Sequence, residues 1–99
     1  MPKNKTYVFH EDPGHGWLAV KLKELQTLGI IEKISPYSYM KGKTAYLEED
    51  RDLSIFIQAK GVGIRELPFK RSYRKHTSIR SYHGYDKAEV KKILGVEKI

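Results

Sequence analysis

The chain has 99 residues, of which 39% are hydrophobic and 31% charged, with a net charge of +7 and no cysteine. This length predicts a single domain over residues 1–99 with one modest core. The missing cysteine excludes disulfide scaffolds, thiolate nucleophiles and cysteine-ligated zinc. We expect neither a transmembrane helix, which needs about 20 apolar residues, nor a secretory signal, because no apolar stretch follows the N-terminal residues.

The first third of the chain contains strand, turn and helix patterns. Residues 5–10 are rich in β-forming side chains and predict a strand, and the proline and glycines of residues 11–16 predict a turn. Residues 17–20 form a second extended apolar run. Leucines at a spacing of three, followed by Gly29, predict a short helix over residues 21–28.

The middle of the chain carries the clearest hairpin pattern. Alternating residues flank a glycine-containing turn at residues 41–43, which predicts an antiparallel hairpin over residues 37–47. An acidic run follows the hairpin. Acidic side chains stabilise the N-terminal end of a helix, where the helix dipole is positive, so we expect a helix beginning near Asp50 or Asp52. Gly61 is expected to end that helix.

The last third combines an irregular basic region with a final helix. Residues 62–84 are interpreted as a mainly extended region, with a strand around residues 64–69. Asp86 begins a capping pattern that predicts a helix over residues 87–94, ended by Gly95. The order of elements predicts an α+β fold with a small antiparallel sheet and about three short helices.

The positive charge is unevenly distributed. Residues 1–50 contain equal numbers of basic and acidic side chains, so the whole net charge of +7 lies in residues 51–99. The densest basic stretch is residues 65–80. Such a field attracts phosphates and other anions. The alternative is a solvated face that only keeps the protein soluble.

Tyrosines and histidines interrupt this basic stretch, which favours a ligand that bears both phosphate and a stacking base. Arginine makes bidentate contacts with phosphate, and tyrosine offers a stacking face and a hydroxyl group. In an extended chain, Arg71 would project with Tyr73, and Arg80 with Tyr82. The predicted ligand-binding residues are Arg71, Tyr73, Arg74, Lys75, His76, Arg80, Tyr82 and His83. This pattern does not distinguish a nucleotide from nucleic acid.

A second predicted patch is aromatic and histidine-rich. Tyr37 and Tyr39 are expected on one face of a strand, where tyrosines either stack bases or simply pack. The polar turn before Trp17 has two interpretations. Its histidines either hydrogen-bond the backbone or form part of a ligand pocket beside Trp17, since loops often carry function. The members of this patch are His10, His15, Trp17, Tyr37 and Tyr39.

The same turn also suggests a metal site, which we regard as the weaker interpretation. A helical H-E-x-x-H zinc motif needs its histidines one turn apart, whereas His15 comes one position too late after His10, and Pro13 and Gly14 prevent a regular helix. Asp12 is expected to close an Asx turn instead. No phosphate-loop, dinucleotide or nucleophile-elbow motif is present. We therefore predict no catalytic residue, metal or cofactor, and favour a protein that is not an enzyme.

Three blocks of sequence are distinctive in their order: H-E-D-P-G-H-G-W-L from His10, I-S-P-Y-S-Y from Ile34 and Y-L-E-E-D from Tyr46. They resemble small uncharacterised domains found in phages, prophages and plasmids. This resemblance implies a mobile-element accessory protein acting in the cytoplasm of a bacterial host. It also implies a role against host defence, by sequestering a nucleotide signal or by binding nucleic acid or a host protein.

The leading hypothesis is thus a non-catalytic binder of a phosphate-bearing ligand, either a nucleotide or nucleic acid. The first alternative is an inhibitor that binds a host defence protein, since exposed tyrosine and arginine are common interface anchors. The second is a metal-dependent phosphodiesterase built on His10, Asp12 and His15. We expect no membrane partner, and we expect a homo-oligomer because a small core with many aromatic residues favours a partner surface.

Overall fold

The computed structural model describes residues 6–63 and 66–95, and within them the chain forms one six-stranded sheet and three α-helices. The strands are β1 (Tyr7–Glu11), β2 (Gly16–Lys21), β3 (Tyr39–Lys41), β4 (Thr44–Glu48), β5 (Phe69–Tyr73) and β6 (His83–Gly84). The helices are α1 (Leu22–Leu28), α2 (Asp52–Lys60) and α3 (Lys87–Leu94). The α+β prediction is confirmed. None of these described helices has the length and apolar character needed to cross a bilayer.

The sheet has the strand order β5-β1-β2-β4-β3-β6. Neighbouring strands are antiparallel except for β1 and β5, which are parallel. The parallel pair was not predicted, because β5 joins the sheet far along the chain from β1. The two last strands therefore lie at opposite edges of the sheet, and the chain between them has to cross it.

One face of the sheet forms the hydrophobic core with the helices. The register pairs Leu18 with Leu47 and Val20 with Ala45, and all four side chains are buried on this face. The helices and the remaining strands complete the core with Leu22, Leu25, Met40, Phe56 and Val90. The alternation along the strands therefore decides which residues are left for the opposite face.

The opposite face of the sheet carries aromatic side chains, and an irregular segment rather than a helix covers it. It carries Trp17 and Tyr46, which alternate with the core residues of β2 and β4. Residues 74–82, which we call the crossing segment, run over this face between β5 and β6. Arg80 lies over the Trp17 ring, 5.4 Å from its centroid, and the Tyr82 ring lies 5.2 Å from that of Tyr46. The crossing segment is therefore part of the folded domain.

Several predicted elements are confirmed, with small differences in their ends. β3 and β4 form the predicted hairpin, with Gly42 in the turn at φ 61°. The helices end where glycine was expected, for example α2 before Gly61. The carboxylate of Asp86 accepts hydrogen bonds from the amides of Ala88 and Glu89 and so caps α3.

The prediction that residues 62–84 are mainly extended is wrong for residues 78–81. β5 begins at Phe69, and Ser78–Ser81 within the crossing segment forms a 3₁₀ turn whose Ile79 side chain is buried. Because this turn is tight, Arg80 and Tyr82 do not project together as they would from a strand. Of the strand predicted around residues 64–69, Ile64 and Arg65 lie outside the described residues.

The prediction that Tyr37 and Tyr39 share a strand face is also wrong. Tyr37 lies in a turn before β3, closed by a 3.2 Å hydrogen bond from the Ser38 amide to the Ser35 carbonyl. Pro36 favours this turn because its ring fixes φ. The consequence is that Tyr37 is 78% exposed, whereas Tyr39 lies in the sheet.

Candidate ligand-binding cleft

An open cleft of about 430 Å³ lies at the end of the sheet, where the β1–β2 turn meets the start of α2. Its volume is within the range of small-molecule sites. The residues that line it are His15, Trp17, Tyr37, Tyr39, Glu48, Asp50, Arg51 and Arg80. The cleft therefore brings four members of the predicted second patch together with one arginine of the predicted basic site.

Aromatic rings form one wall of this cleft. Trp17 is only 2% exposed, and the imidazole of His15 stacks on it with ring centroids 5.8 Å apart and planes 16° apart. Tyr39 meets Trp17 edge-on at 6.2 Å. Tyr37 stands at the rim with most of its ring exposed. The cleft therefore has a fixed aromatic wall, and the exposed Tyr37 ring at its rim can stack on a ligand.

The β1–β2 turn is closed by Asp12 in the predicted Asx geometry. One oxygen of its carboxylate accepts hydrogen bonds from the amides of Gly14 and His15, each at 3.0 Å. Arg80 also donates two hydrogen bonds to this carboxylate, from Nε to Oδ2 at 2.6 Å and from Nη2 to Oδ1 at 3.1 Å. The Arg80 hydrogen bond holds the pKa of Asp12 well below its ordinary value, and the two amides lower it further.

Arg80 therefore has a structural role that the sequence did not indicate. Besides the Asp12 pair, its Nη2 lies 2.8 Å from Nδ1 of His15, and its guanidinium covers the Trp17 ring. The Asp12 carboxylate raises the pKa of Arg80, chiefly through their hydrogen bond. Nε and Nη2 are occupied, so Nη1, which has no hydrogen-bond partner among the described residues, is the donor left for a ligand.

The start of α2 supplies a second arginine. The Glu48 carboxylate accepts hydrogen bonds from the amides of Asp50, Arg51 and Asp52 at 2.7–3.0 Å and so caps the start of the helix. Arg51 is exposed and makes no ion pair with any described residue. Of the two arginines of the cleft, it is therefore the one without a carboxylate partner among the described residues.

A buried polar network fixes the loop that carries Tyr37. The fully buried carboxylate of Asp52 accepts hydrogen bonds from the amide and hydroxyl of Ser35 and from the hydroxyl of Ser38. The hydroxyl of Ser35 in turn accepts from the Tyr37 amide at 3.2 Å. Sequence reasoning missed this network because Asp52 was interpreted only as an acidic residue at a helix start.

The remaining residues of the predicted basic site are dispersed. Arg71 pairs with Glu11 at 3.0 Å, and His83 faces Glu89 at 3.6 Å. Tyr82 packs on Tyr46 rather than lining the cleft. The other members, which are exposed at the end of β5 or after it, are Tyr73, Arg74, Lys75 and His76. Of the eight residues predicted from the basic stretch, only Arg80 reaches the cleft.

The proposed metal ligands do not converge. His10 lies on the sheet face with its ring 5.8 Å from that of Tyr46, and burial, followed by the charge of Arg74, lowers its pKa. The Asp12 carboxylate is occupied by Arg80. Among residues 6–63 and 66–95, no three histidine or carboxylate side chains are placed to hold one ion. The geometry gives the phosphodiesterase alternative no support.

Comparisons of the chain with protein-family models, curated proteins and solved structures found no match. The resemblance to phage and plasmid domains accordingly remains a prediction. The function has to be inferred from the chemistry of the cleft itself. That chemistry consists of a stacked aromatic wall, an exposed tyrosine, two arginines and the two carboxylates of Glu48 and Asp50.

Proposed function

We propose that the protein is a non-catalytic binder of a nucleotide, held in the cleft between Tyr37 and Arg80. The observation that carries this proposal is the convergence of Arg51 and Arg80 with four aromatic rings around one cleft of about 430 Å³. Arginines supply charge-assisted hydrogen bonds to phosphate, and tyrosines supply stacking surface for a base.

The two arginines have different roles in this proposal. Arg51 is exposed and unpaired among the described residues, so it is the principal phosphate contact. Arg80 contributes Nη1 while Asp12 holds it in place. A preorganised donor loses less conformational entropy on binding than a free side chain.

The dimensions of the cleft favour a nucleotide over a nucleic-acid strand. The cleft is local, and the exposed cations after β5, such as Arg74 and Lys75, are not among its lining residues. A strand would need a continuous basic track with many phosphate contacts, and its affinity would fall steeply with salt. A nucleotide held by stacking and two arginines would be less sensitive to salt.

The role of such binding, as the resemblance implies, is sequestration of a nucleotide signal within a bacterial host. Sequestration needs affinity alone, so the proposal includes no catalytic step. The alternative, inhibition of a host protein, is retained as an outcome of the test described next.

The test is calorimetric titration with the four ribonucleoside 5′-mono- and diphosphates, with cyclic dinucleotides of adenine and guanine, and with single-stranded oligonucleotides. We expect saturable binding of at least one nucleotide, changing little between about 50 and 200 mM salt. Binding of oligonucleotides alone, with a steep salt dependence, would replace the proposal by nucleic-acid binding. Binding of neither class would overturn the proposal and make protein inhibition the next function to test.

Matched variants locate the site. Arg51→Ala is compared with Arg74→Ala, and Tyr37→Ala with Tyr73→Ala. In each pair the same type of exposed residue is replaced, once in the cleft and once outside it. We expect the cleft variants to weaken binding about tenfold or more and the outer variants to leave it unchanged. If only the outer variants weakened binding, the ligand site would lie at the end of β5 and not in the cleft.

A further inference from the structure

The outer side of β5 is an open sheet edge. β5 pairs with β1 on one side, and no strand of the described residues pairs with its other side. The opposite edge of the sheet is the two-residue strand β6, so β5, with five residues, is the longer edge. An unpaired edge can recruit an extended chain through main-chain hydrogen bonds.

The register determines which main-chain groups of β5 face outward. The Tyr7 amide donates to the Pro68 carbonyl and the Arg74 amide donates to the Glu11 carbonyl, both at 2.9 Å. Since the polar groups of successive residues alternate between the two sides of a strand, the even-numbered residues of β5 face β1. The amide and carbonyl groups that face away from the sheet belong to Phe69, Arg71 and Tyr73.

A small apolar pocket of about 140 Å³ opens beside this edge, on the side of α2. Its lining residues are Phe9, Leu18, Leu53, Leu67, Phe69 and Arg71. The rings of Phe9 and Phe69 lie 6.1 Å apart, and the Arg71 guanidinium lies 5.6 Å from the Phe9 ring. Such a volume accommodates one apolar side chain.

The edge is also strongly positive. The cations in and directly after β5 are Lys70, Arg71, Arg74 and Lys75. Glu11 pairs with Arg71, and the carboxylate of nearby Glu66 accepts a hydrogen bond from the Gly63 amide. Among the described residues, the other three cations have no carboxylate partner. The charge of the edge is therefore complementary to an acidic partner.

We infer that the β5 edge is a docking site for an extended segment of a partner protein. The segment adds to the sheet as a strand, places one aliphatic side chain in the pocket and carries acidic residues on both sides of it. Outward main-chain groups supply affinity, whereas the pocket and the cations supply specificity. A second copy of β5 is a poor occupant, because self-pairing brings like charges together. This site is separate from the cleft and does not depend on nucleotide binding.

The test begins with selection of random displayed linear peptides on the immobilised protein. We expect the enriched peptides to share one aliphatic residue flanked by aspartate or glutamate. A synthetic peptide of the enriched sequence is then followed by amide hydrogen exchange. Binding should slow exchange at Phe69, Arg71 and Tyr73 at least tenfold and leave Lys70 and Ser72, whose amides already face β1, unchanged.

A pair of variants tests the main-chain contact. Tyr73→Pro removes an outward amide without breaking a bond to β1, whereas Tyr73→Ala removes the same side chain and retains the amide. We expect the proline variant to bind the selected peptide at least tenfold more weakly than the alanine variant. The exchange experiment on the unaltered protein decides the question if the proline variant does not fold.

Three results would overturn the proposal. These are the failure of any peptide to enrich, enrichment without acidic residues, and protection that appears away from β5. Nucleotide titration of the same protein keeps the two proposals distinguishable, because loss of peptide binding at β5 leaves the cleft intact.

Discussion

The guanidinium of Arg80 and the carboxylate of Asp12, 68 positions apart in the chain, form a two-point hydrogen-bonded pair. This pair fastens the crossing segment to the β1–β2 turn and places Arg80 over the Trp17 ring. This turn has the expected Asx geometry, and its Asp12 carboxylate holds Arg80 rather than a metal ion. Its histidine and tryptophan form the aromatic wall of the cleft.

The first prediction concerns the pH dependence of this pair. Because Arg80 lowers the pKa of Asp12 in the folded state, the pair stabilises the protein fully above the ordinary aspartate pKa near 4. Its contribution declines as the pH falls below that value. Asp12→Asn should therefore lower Tm clearly at about pH 7 and by less at about pH 3, as measured by circular dichroism.

Glu11→Gln is the matched control, since it removes the partner of the exposed Arg71. Exposed ion pairs contribute little, so its Tm should stay close to that of the unaltered protein. An equal effect of Asp12→Asn at both pH values would contradict the assignment of the stabilisation to an ionised Asp12.

The second prediction concerns the buried Asp52 network. Asp52→Ala leaves the Ser35 amide and the Ser38 hydroxyl without their acceptor in the interior, at a cost of about 3 kcal/mol of unfolding free energy. Asp50→Ala, at an exposed position two residues earlier, should cost less than about 0.5 kcal/mol. Denaturant unfolding of both variants checks the difference, and similar values would contradict a structural role of the network.

The third prediction concerns Gly16. A Cβ at this position would meet the Phe9 ring, with Cε2 at 2.8 Å, as well as the Glu49 carboxylate. Gly16→Ala should destabilise the fold by about 1–3 kcal/mol, because the Phe9 ring must move out of its packing. At Gly14 the nearest atom, Nη2 of Arg80, lies 3.5 Å away, so Gly14→Ala should be tolerated. Equal stability of the two variants, measured by thermal unfolding, would refute the close packing at Gly16.

The fourth prediction separates the two arginines of the cleft. From the sequence, Arg80 was predicted only as a ligand-binding residue, which by itself gives no reason for Arg80→Ala to affect stability. Since Arg80 pairs with Asp12, we now expect it to lower both Tm and nucleotide affinity, whereas Arg51→Ala should lower affinity alone. Calorimetry and thermal unfolding of each variant test this, and an unchanged Tm for Arg80→Ala would contradict the anchoring role.

The local elements were predictable because their determinants are local. Gly42, Gly61 and the Asp86 cap act within a few residues of the structures they end or begin. The parallel pairing of β5 with β1 and the Arg80–Asp12 pair depend on contacts across most of the chain, and a single sequence carries no signal for them.

The candidate site was predicted in its components rather than in its grouping. Trp17 was selected because it follows the polar turn, and Tyr37 and Tyr39 because they were expected on one strand face. All three line the cleft. The basic residues were expected to act together because they are close in sequence. A strand followed by a 3₁₀ turn points them in different directions, so only Arg80 joins the cleft. Arg51 was overlooked because it is isolated in the sequence.

The expected homo-oligomer remains a prediction. Tyr37 and Tyr73 are the large hydrophobic residues most exposed in the described part of the chain. Sedimentation equilibrium over a range of concentrations tests the expectation. A mass that corresponds to more than one chain would support it, and a monomer throughout would refute it.

The most direct measurement of the central claim is a chemical-shift titration of ¹⁵N-labelled protein with the nucleotide panel. Trp17 is the single tryptophan of the chain, so its indole N–H gives one resonance that reports on the aromatic wall of the cleft. Nucleotide binding in the cleft predicts saturable shifts of this resonance and of the amides of Tyr37, Tyr39 and Arg51. Shifts confined to residues 70–76, or no shift with any nucleotide, would contradict the account.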